Sequence, residues 1–176
     1  MFDTLMLLLG PLLGFRLLGA LGVRRFADWR VAAGHGLALM LVFTGAAHFV
    51  PDSVTVMPGH DDMVTMVPPF VPFPHLAVYA TGVLELLGAL GLVVARTRLA
   101  AGVGLAVLFV LMLPANIHAA LADVPLNGDP ATPLWFRIPE QIVFIAVALG
   151  AAGVGARRAE PAPVRPDAAE RAAAGR

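Results

Sequence analysis

Residues 76–95 read LAVYATGVLELLGALGLVVA, and Glu85 is the only charged side chain in this otherwise apolar run. A stretch of about 20 apolar residues is long enough to cross the hydrocarbon core of a bilayer as an α-helix. A carboxylate at that depth is costly and rare, so it marks either a functional site or a buried polar pairing. The run therefore predicts an integral membrane protein, and Glu85 is its first candidate site residue.

Four further apolar runs of similar length lie along the chain: Leu5–Val23, Val31–Val50, Leu99–Leu121 and Leu134–Gly153. Of the 176 residues, 59% are hydrophobic and only 14% are charged, whereas about 25% charged residues is usual for a soluble domain. The formal net charge is zero, which gives no reason to expect a nucleic acid partner. The absence of cysteine excludes a disulfide and a thiolate metal site within the chain. The predicted fold class is all-α, a polytopic helical bundle in a lipid bilayer.

Arginines and acids alternate between the connections of these runs. The segments after the first, third and fifth runs carry Arg24, Arg25, Arg30, Arg96, Arg98, Arg157 and Arg158. The other two connections carry acids and no arginine: Asp52, Asp61, Asp62, Asp123 and Asp129. By the positive-inside rule the arginine-bearing segments are cytoplasmic. We therefore expect the acidic loops outside and the C-terminus inside.

The first run contains Pro11 and Arg16, so two placements are open for it. It either spans the membrane, with the N-terminus outside, or lies flat on the cytoplasmic face; spanning is favoured. Gly10 and Gly14 form a GxxxG spacing, which permits close helix contact and leaves a homo-oligomer as an expectation.

The outer loop, residues 51–75, reads PDSVTVMPGHDDMVTMVPPFVPFPH and is too apolar for a solvated linker. Four prolines in its second half prevent a regular helix there, so we expect it to pack as a lid over the helix ends or to dip into the interface. His60, Asp61, Asp62 and His75 carry metal-ligand atoms, but their spacing fits no dense ligand pattern, and a solvated acidic loop is favoured over a metal site. Residues 157–176 are predicted to be a disordered cytoplasmic tail.

Helical periodicity assigns faces to the polar residues. Glu85 shares a stripe with small residues of its run, so it should face protein and not lipid. Thr44 and His48 share a stripe of the second run, and Arg137, Glu140 and Gln141 share a face of the fifth. Asn116 and His118 lie near the outer end of the fourth run. These polar groups are concentrated in the outer half of the predicted bundle.

The simplest pairing within this cluster is an ion pair between Glu85 and Arg137, because a long arginine side chain can reach inward. Such a pair either serves chemistry or only locks the bundle together. His48 and His118 lie at similar depth, which raises bis-histidine haem ligation. Asn116 and His118 point about 200° apart on a regular helix and cannot share a site unless Pro114 unwinds the turn, so haem is not favoured.

Five segments, in order and spacing, resemble the DoxX-like membrane proteins: RVAAGHGLALMLVFTGAAHF from Arg30, DDMVTMVPPFVPFP, GVLELLGALGLV, RLAAGVGLAVLFVLMLPANIHAA and FRIPEQIVF. The resemblance covers Arg30 to about Gly150. It implies a four-helix membrane domain over residues 30–156, with residues 1–29 as an added hydrophobic helix and basic linker. It also implies a bacterial plasma membrane protein, since some members are subunits linked to a thiosulfate:quinone oxidoreductase. The matching residues are His48, Pro68, Pro74, Glu85, Asn116, Arg137 and Gln141.

The leading functional hypothesis is a membrane subunit of a quinone-linked redox system, with a quinone-like ligand under the outer loop. Glu85 and Arg137 are the candidate catalytic residues, and the candidate ligand-binding residues are Thr44, His48, Asn116, His118 and Gln141. No electron carrier is evident in the chain, so a redox partner protein would have to supply electrons, and whether the chain is itself an enzyme stays open. The alternatives are a small transporter with Glu85 as a protonatable gate and a non-catalytic assembly or scaffold protein.

Overall fold

The computed structural model describes residues 3–51, 53–54, 56–126 and 128–154, and this part of the chain is all-helical. Five helices are long and apolar enough to cross a membrane: α1 Asp3–Ala20, α2 Trp29–Ala47, α4 Pro74–Val93, α5 Arg98–Leu121 and α6 Leu134–Ala152. A short helix, α3 His60–Met66, lies in the outer loop. The predicted helical membrane bundle is confirmed. The predicted disordered tail, residues 157–176, lies outside the described residues.

Local sequence explains where the helices begin and end. Asp28 precedes α2, and its side chain accepts the backbone N–H of Arg30 at 2.8 Å, as an N-cap does. Pro74 is the first residue of α4, where its missing N–H costs nothing. Gly153 ends α6 in the left-handed conformation, at φ 77°. Because such signals bound the apolar runs, the ends predicted from sequence lie within about three residues of the observed ones.

The helices α2, α4, α5 and α6 form a ring in which each packs against its two neighbours, with α2 against α4 and α6, and α5 also against α4 and α6. Consequently α4 and α6 stand diagonally across the bundle. The core between them is apolar and tightly packed: Leu37, Leu41, Leu92 and Leu105 are fully buried. Gly102 allows α5 to approach α6, since a Cβ there would lie 2.5 Å from the Ala148 carbonyl oxygen.

Helix α1 packs lengthwise against α2. Its Leu12 lies so close that a Cβ on Gly36 would fall 2.8 Å from the Leu12 Cα. The Thr4 hydroxyl reaches Glu140 of α6 at one end, and the Phe15 ring lies 5.5 Å from the His35 ring near the other. Helix α1 therefore runs along the bundle as a spanning helix would, and not flat across its end. A Cβ at Gly10 or Gly14 would meet nothing, so these glycines serve no packing in the protomer and the homo-oligomer stays a prediction.

The outer loop covers the helix ends as a lid mainly through α3, whereas its proline-rich second half, which we expected to do so, leaves two phenylalanines exposed. Helix α3 lies against α4 and α5, the backbone N–H of His60 donates to the Val50 carbonyl at 2.9 Å, and His118 of α5 donates through Nδ1 to the Met66 carbonyl at 3.2 Å. Phe70 and Phe73 project outward with 77% and 74% of their surface exposed. Aromatic side chains at this level suit the membrane–water interface.

Candidate functional site

Glu85 lies near the middle of α4 and is 3% exposed. It faces α2, where the Thr44 hydroxyl donates to its Oε2 at 2.6 Å and the His48 Nε2 lies 3.6 Å from its Oε1. Gly45 makes room for this contact, because a Cβ there would lie 3.2 Å from the Glu85 Cβ. The prediction that Glu85 faces protein is confirmed, and its partners are Thr44 and His48.

The hydrogen bonds of His48 assign its protons. Its Nδ1 lies 2.8 Å from the Val78 carbonyl and 3.2 Å from the Thr81 hydroxyl, which itself donates to the same carbonyl at 2.9 Å. A carbonyl only accepts, so Nδ1 carries hydrogen, and in a neutral ring Nε2 is the bare nitrogen that faces Glu85. A bare nitrogen and a carboxylate would repel each other. At 3.6 Å this contact is longer than a hydrogen bond, and a proton on the carboxyl or on Nε2 would remove the repulsion.

The surroundings of the pair are polar toward the end of the bundle that carries the lid and apolar toward the opposite end. Along α2 and α4 the next inward layer contains Leu41, Ala89 and Leu92, all buried, and Leu105 of α5 packs against Gly88. On the lid side of the pair lie Thr81 and the backbone of His48, whose carbonyl contacts His60 of the lid. Thr44 and Thr81 are partly exposed, so the edge of the site reaches the protein surface at these two hydroxyls.

Arg137 belongs to a second polar cluster. Its Nη1 donates to Oε2 of Glu140 at 2.9 Å, and the Glu140 side chain is 1% exposed. Thr4 of α1 donates to the other carboxylate oxygen of Glu140. The expected ion pair between Glu85 and Arg137 is therefore wrong. Arg137 finds a carboxylate one helical turn away on its own face, and α6 stands diagonally opposite α4.

Gln141 and Asn116 join α6 to α5 beside this cluster. The Gln141 amide donates to the Phe109 carbonyl at 2.7 Å, and Asn116 donates to the Gln141 amide oxygen at 3.4 Å. Pro114 removes the helical N–H that would bond the Val110 carbonyl, which follows directly on the Phe109 carbonyl that accepts the Gln141 amide. A cavity of about 10 Å³, lined by Asn116, Arg137, Met66 of the lid and residues of the loop between α5 and α6, lies nearby. It has room for about one water molecule.

The predicted site residues thus divide between three places. Thr44, His48 and Glu85 come together between α2 and α4, Asn116, Arg137 and Gln141 lie at the α5–α6 side, and His118 holds the lid. Sequence reasoning missed Thr81, Thr4 and the role of Glu140. The spacing of three residues between Arg137 and Glu140 was the available signal for that pair. Thr4 carried no such signal, because its partner lies on a helix far along the chain.

The lid brings histidines together. His60 is buried, with 7% exposed, although a solvated loop was expected, while Asp61 and His75 are exposed. The His60 Nε2 lies 2.9 Å from the His75 Nδ1, and the His60 Nδ1 donates to the His48 carbonyl at 2.9 Å. One ligand atom each from His60, Asp61 and His75 lie within 4.8 Å of one another, which is close enough to hold a metal ion.

Residues 37–152 match the family model described as "Domain of unknown function (DUF8561)", which is more than half of the chain. The matched span runs from within α2 to the end of α6, so it contains the His48–Glu85 pair, the lid and the Arg137–Glu140 cluster, and it leaves out α1. No curated protein and no solved structure matches the chain.

Proposed function

We propose that this chain, which belongs to the DUF8561 family by the match over residues 37–152, is the membrane subunit of a quinone-linked redox system. The observation that carries the proposal is the buried pair of His48 and Glu85, with a ring nitrogen 3.6 Å from a carboxylate oxygen, on the side of the bundle that carries the lid. The resemblance of residues 30–150 to DoxX-like proteins supports the quinone as substrate class. A partner redox protein supplies the electrons.

In this function the pair exchanges protons with the ligand. Reduction of a quinone to a quinol takes up two electrons and two protons, and the electrons come from the partner protein. The pair transfers its proton to a quinone oxygen and is reloaded from the outer side, then repeats the transfer for the second oxygen. The Thr44 and Thr81 hydroxyls lie at the edge of the pair, and to bond a ligand oxygen each turns its hydrogen away from Glu85 or from the Val78 carbonyl.

The ligand approaches at the threonine edge. The cavity beside Asn116 is too small for a quinone ring. Phe49 and Tyr79 are both exposed, and their rings stack with centroids 5.7 Å apart next to His48. Exposed aromatic rings at this edge suit a planar ring arriving from the lipid.

The distribution of arginines supports a plasma-membrane protein with the lid outside. In that orientation the pair exchanges protons with the outer aqueous phase. A transporter with Glu85 as a gate needs a polar path from the pair to the inner side. That function is disfavoured, because the layer on the inner side of the pair consists of the buried apolar residues Leu41, Leu92 and Leu105.

A scaffold or assembly function is the second candidate, and the second polar cluster favours it. The contacts of Arg137, Glu140 and Gln141 join α1, α5 and α6 and are satisfied without a ligand. This function requires that changes at Arg137 lower the amount of folded protein, and that the purified protein binds no quinone.

The test is binding of short-chain ubiquinone and menaquinone analogues to the purified protein in lipid nanodiscs. We expect Glu85→Gln and Thr44→Val each to weaken binding about tenfold, which corresponds to about 1.4 kcal/mol for a lost hydrogen bond. Thr97→Val is the matched control, because Thr97 bonds the Gly91 carbonyl at the inner end. The proposal fails if the wild-type protein binds neither analogue, or if all three variants bind equally well.

A further inference from the structure

We infer that His60, Asp61 and His75 form a binding site for a first-row divalent transition metal, of the Zn²⁺ or Cu²⁺ kind, on the outer face of the bundle. The site lies in the lid and takes no ligand from the His48–Glu85 pair. It therefore goes beyond the proposed quinone function and does not depend on it.

The distances fit a metal ion. Two nitrogens bound to one tetrahedral ion at about 2.0 to 2.1 Å lie about 3.3 Å apart. The His60 Nε2 and His75 Nδ1 lie 2.9 Å apart, and the ligand atoms of all three residues lie within 4.8 Å of one another. To hold an ion, the two nitrogens separate by a few tenths of an ångström and the exposed Asp61 carboxylate moves closer to them. Imidazole nitrogens favour zinc, copper and nickel, whereas magnesium and calcium prefer sites built from oxygen alone.

His60 is oriented as a ligand. Its Nδ1–H donates to the His48 carbonyl, so Nε2 is the bare nitrogen in the neutral ring and points at His75. Metal-binding histidines almost always use their second nitrogen to bond a carbonyl or carboxylate in this way. The ring also stacks on Tyr79, with centroids 4.0 Å apart, which fixes its plane.

The backbone places the other two ligands. Phe73 adopts a left-handed conformation at φ 55°, and Pro74 begins α4, so His75 is held in the first helical turn. The Asp62 carboxylate accepts the Gly59 N–H at 3.0 Å and holds the start of α3. Asp62 is thereby occupied, and Asp61 is the acid that lies with the two histidines.

Exposure of Asp61 and His75 gives the ion access from solvent. With three protein ligands, the remaining coordination position is filled by water. An ion bound here ties α3 to α4 and closes the lid segment between His60 and His75. Without a metal, the same geometry is a hydrogen bond from the His75 Nδ1–H to the His60 Nε2.

The test uses full-length protein purified without a histidine tag. Zn²⁺ binding is measured by calorimetry, and Cu²⁺ binding by electron paramagnetic resonance, which counts coordinated nitrogens. We expect one ion per chain and two nitrogens on copper. His75→Ala and Asp61→Asn, both at exposed positions, should weaken binding at least about tenfold, and His75→Ala should leave one nitrogen on copper.

Asp129→Asn is the matched control, since Asp129 is also an exposed acid but lies in the loop between α5 and α6. It should keep wild-type affinity and both nitrogens. The inference is overturned if the wild-type protein takes up neither ion, if His75→Ala binds as tightly as wild type, or if Asp129→Asn loses as much affinity as Asp61→Asn. Thermal unfolding of each variant shows that the fold is kept.

Discussion

Replacing Glu85 by glutamine tests whether the His48–Glu85 contact is a hydrogen bond holding a proton or an ion pair. The glutamine amide has the shape of the protonated acid: its oxygen accepts the Thr44 hydroxyl, and its nitrogen donates to the bare His48 Nε2. If the contact is a hydrogen bond, we expect Glu85→Gln to lower the free energy of unfolding by about 1 kcal/mol or less.

Glu85→Ala is the matched change that removes both contacts. Thr44 and His48 each lose a partner in a buried site, at about 1 to 3 kcal/mol per unsatisfied group, and truncation leaves a cavity between α2 and α4. Because such contributions are not additive, we expect a total loss of about 3 to 5 kcal/mol. The difference between the alanine and glutamine variants is thus several kcal/mol.

The assay is equilibrium unfolding in mixed micelles, followed by circular dichroism, for wild type and the two variants. Breaking a buried ion pair by neutralising one partner costs about 3 to 5 kcal/mol. If Glu85→Gln is as destabilised as Glu85→Ala, the proton lies on Nε2 and the contact is an ion pair, and a neutral pair with a protonated Glu85 is refuted.

Three further outcomes are expected. Arg137→Gln leaves its buried carboxylate partner on α6 unpaired and should lower the free energy of unfolding by about 3 to 5 kcal/mol; a loss below about 1 kcal/mol in the same unfolding assay would contradict a buried pair. Gly102→Ala should lower the free energy of unfolding by about 1 to 3 kcal/mol, because it disrupts the α5–α6 contact. Gly104→Ala is the control: its Cβ meets nothing, so the free energy of unfolding should stay the same or rise slightly. Equal effects of the two changes would contradict the close packing of α5 and α6. The chain has no cysteine, so a single introduced cysteine is its only site for maleimide labelling. Phe70→Cys should react with an impermeant maleimide in intact cells, and Arg96→Cys only after permeabilisation. The reverse pattern would overturn the proposed orientation.

Much of the fold followed from the sequence. Hydrophobic run length depends on bilayer thickness and helical rise, both of which are local quantities, so the five long helices were predicted nearly to their ends. Helical phase is also local, and it turned Glu85 toward protein through the small residues Gly82 and Gly88. Residues 67–73 form no regular helix, as their prolines predicted, but the part of the loop that packs on the helix ends is α3.

The side-chain partners of the polar groups could not be predicted from the sequence. Whether Glu85 meets Arg137 or His48 depends on the order of helices around the ring, and the apolar pattern of each helix is the same for several such orders. The pair of Arg137 and Glu140 is the exception, because a spacing of three residues along one helix is a local signal that predicts such a contact. The approach of His60 to His75 depends on how the proline-rich loop folds back, which neither spacing nor periodicity specifies.

By itself, the sequence determined that this chain is an all-α membrane bundle with a buried carboxylate at the centre of α4, because bilayer thickness and helical periodicity act along one segment at a time. Only the tertiary structure decided that Glu85 pairs with His48 and Thr44, that Arg137 serves Glu140, and that the lid joins two histidines. The physical reason is that most of these side-chain partners are set by contacts between segments that lie far apart along the chain, whereas bilayer thickness and helical periodicity act within one segment.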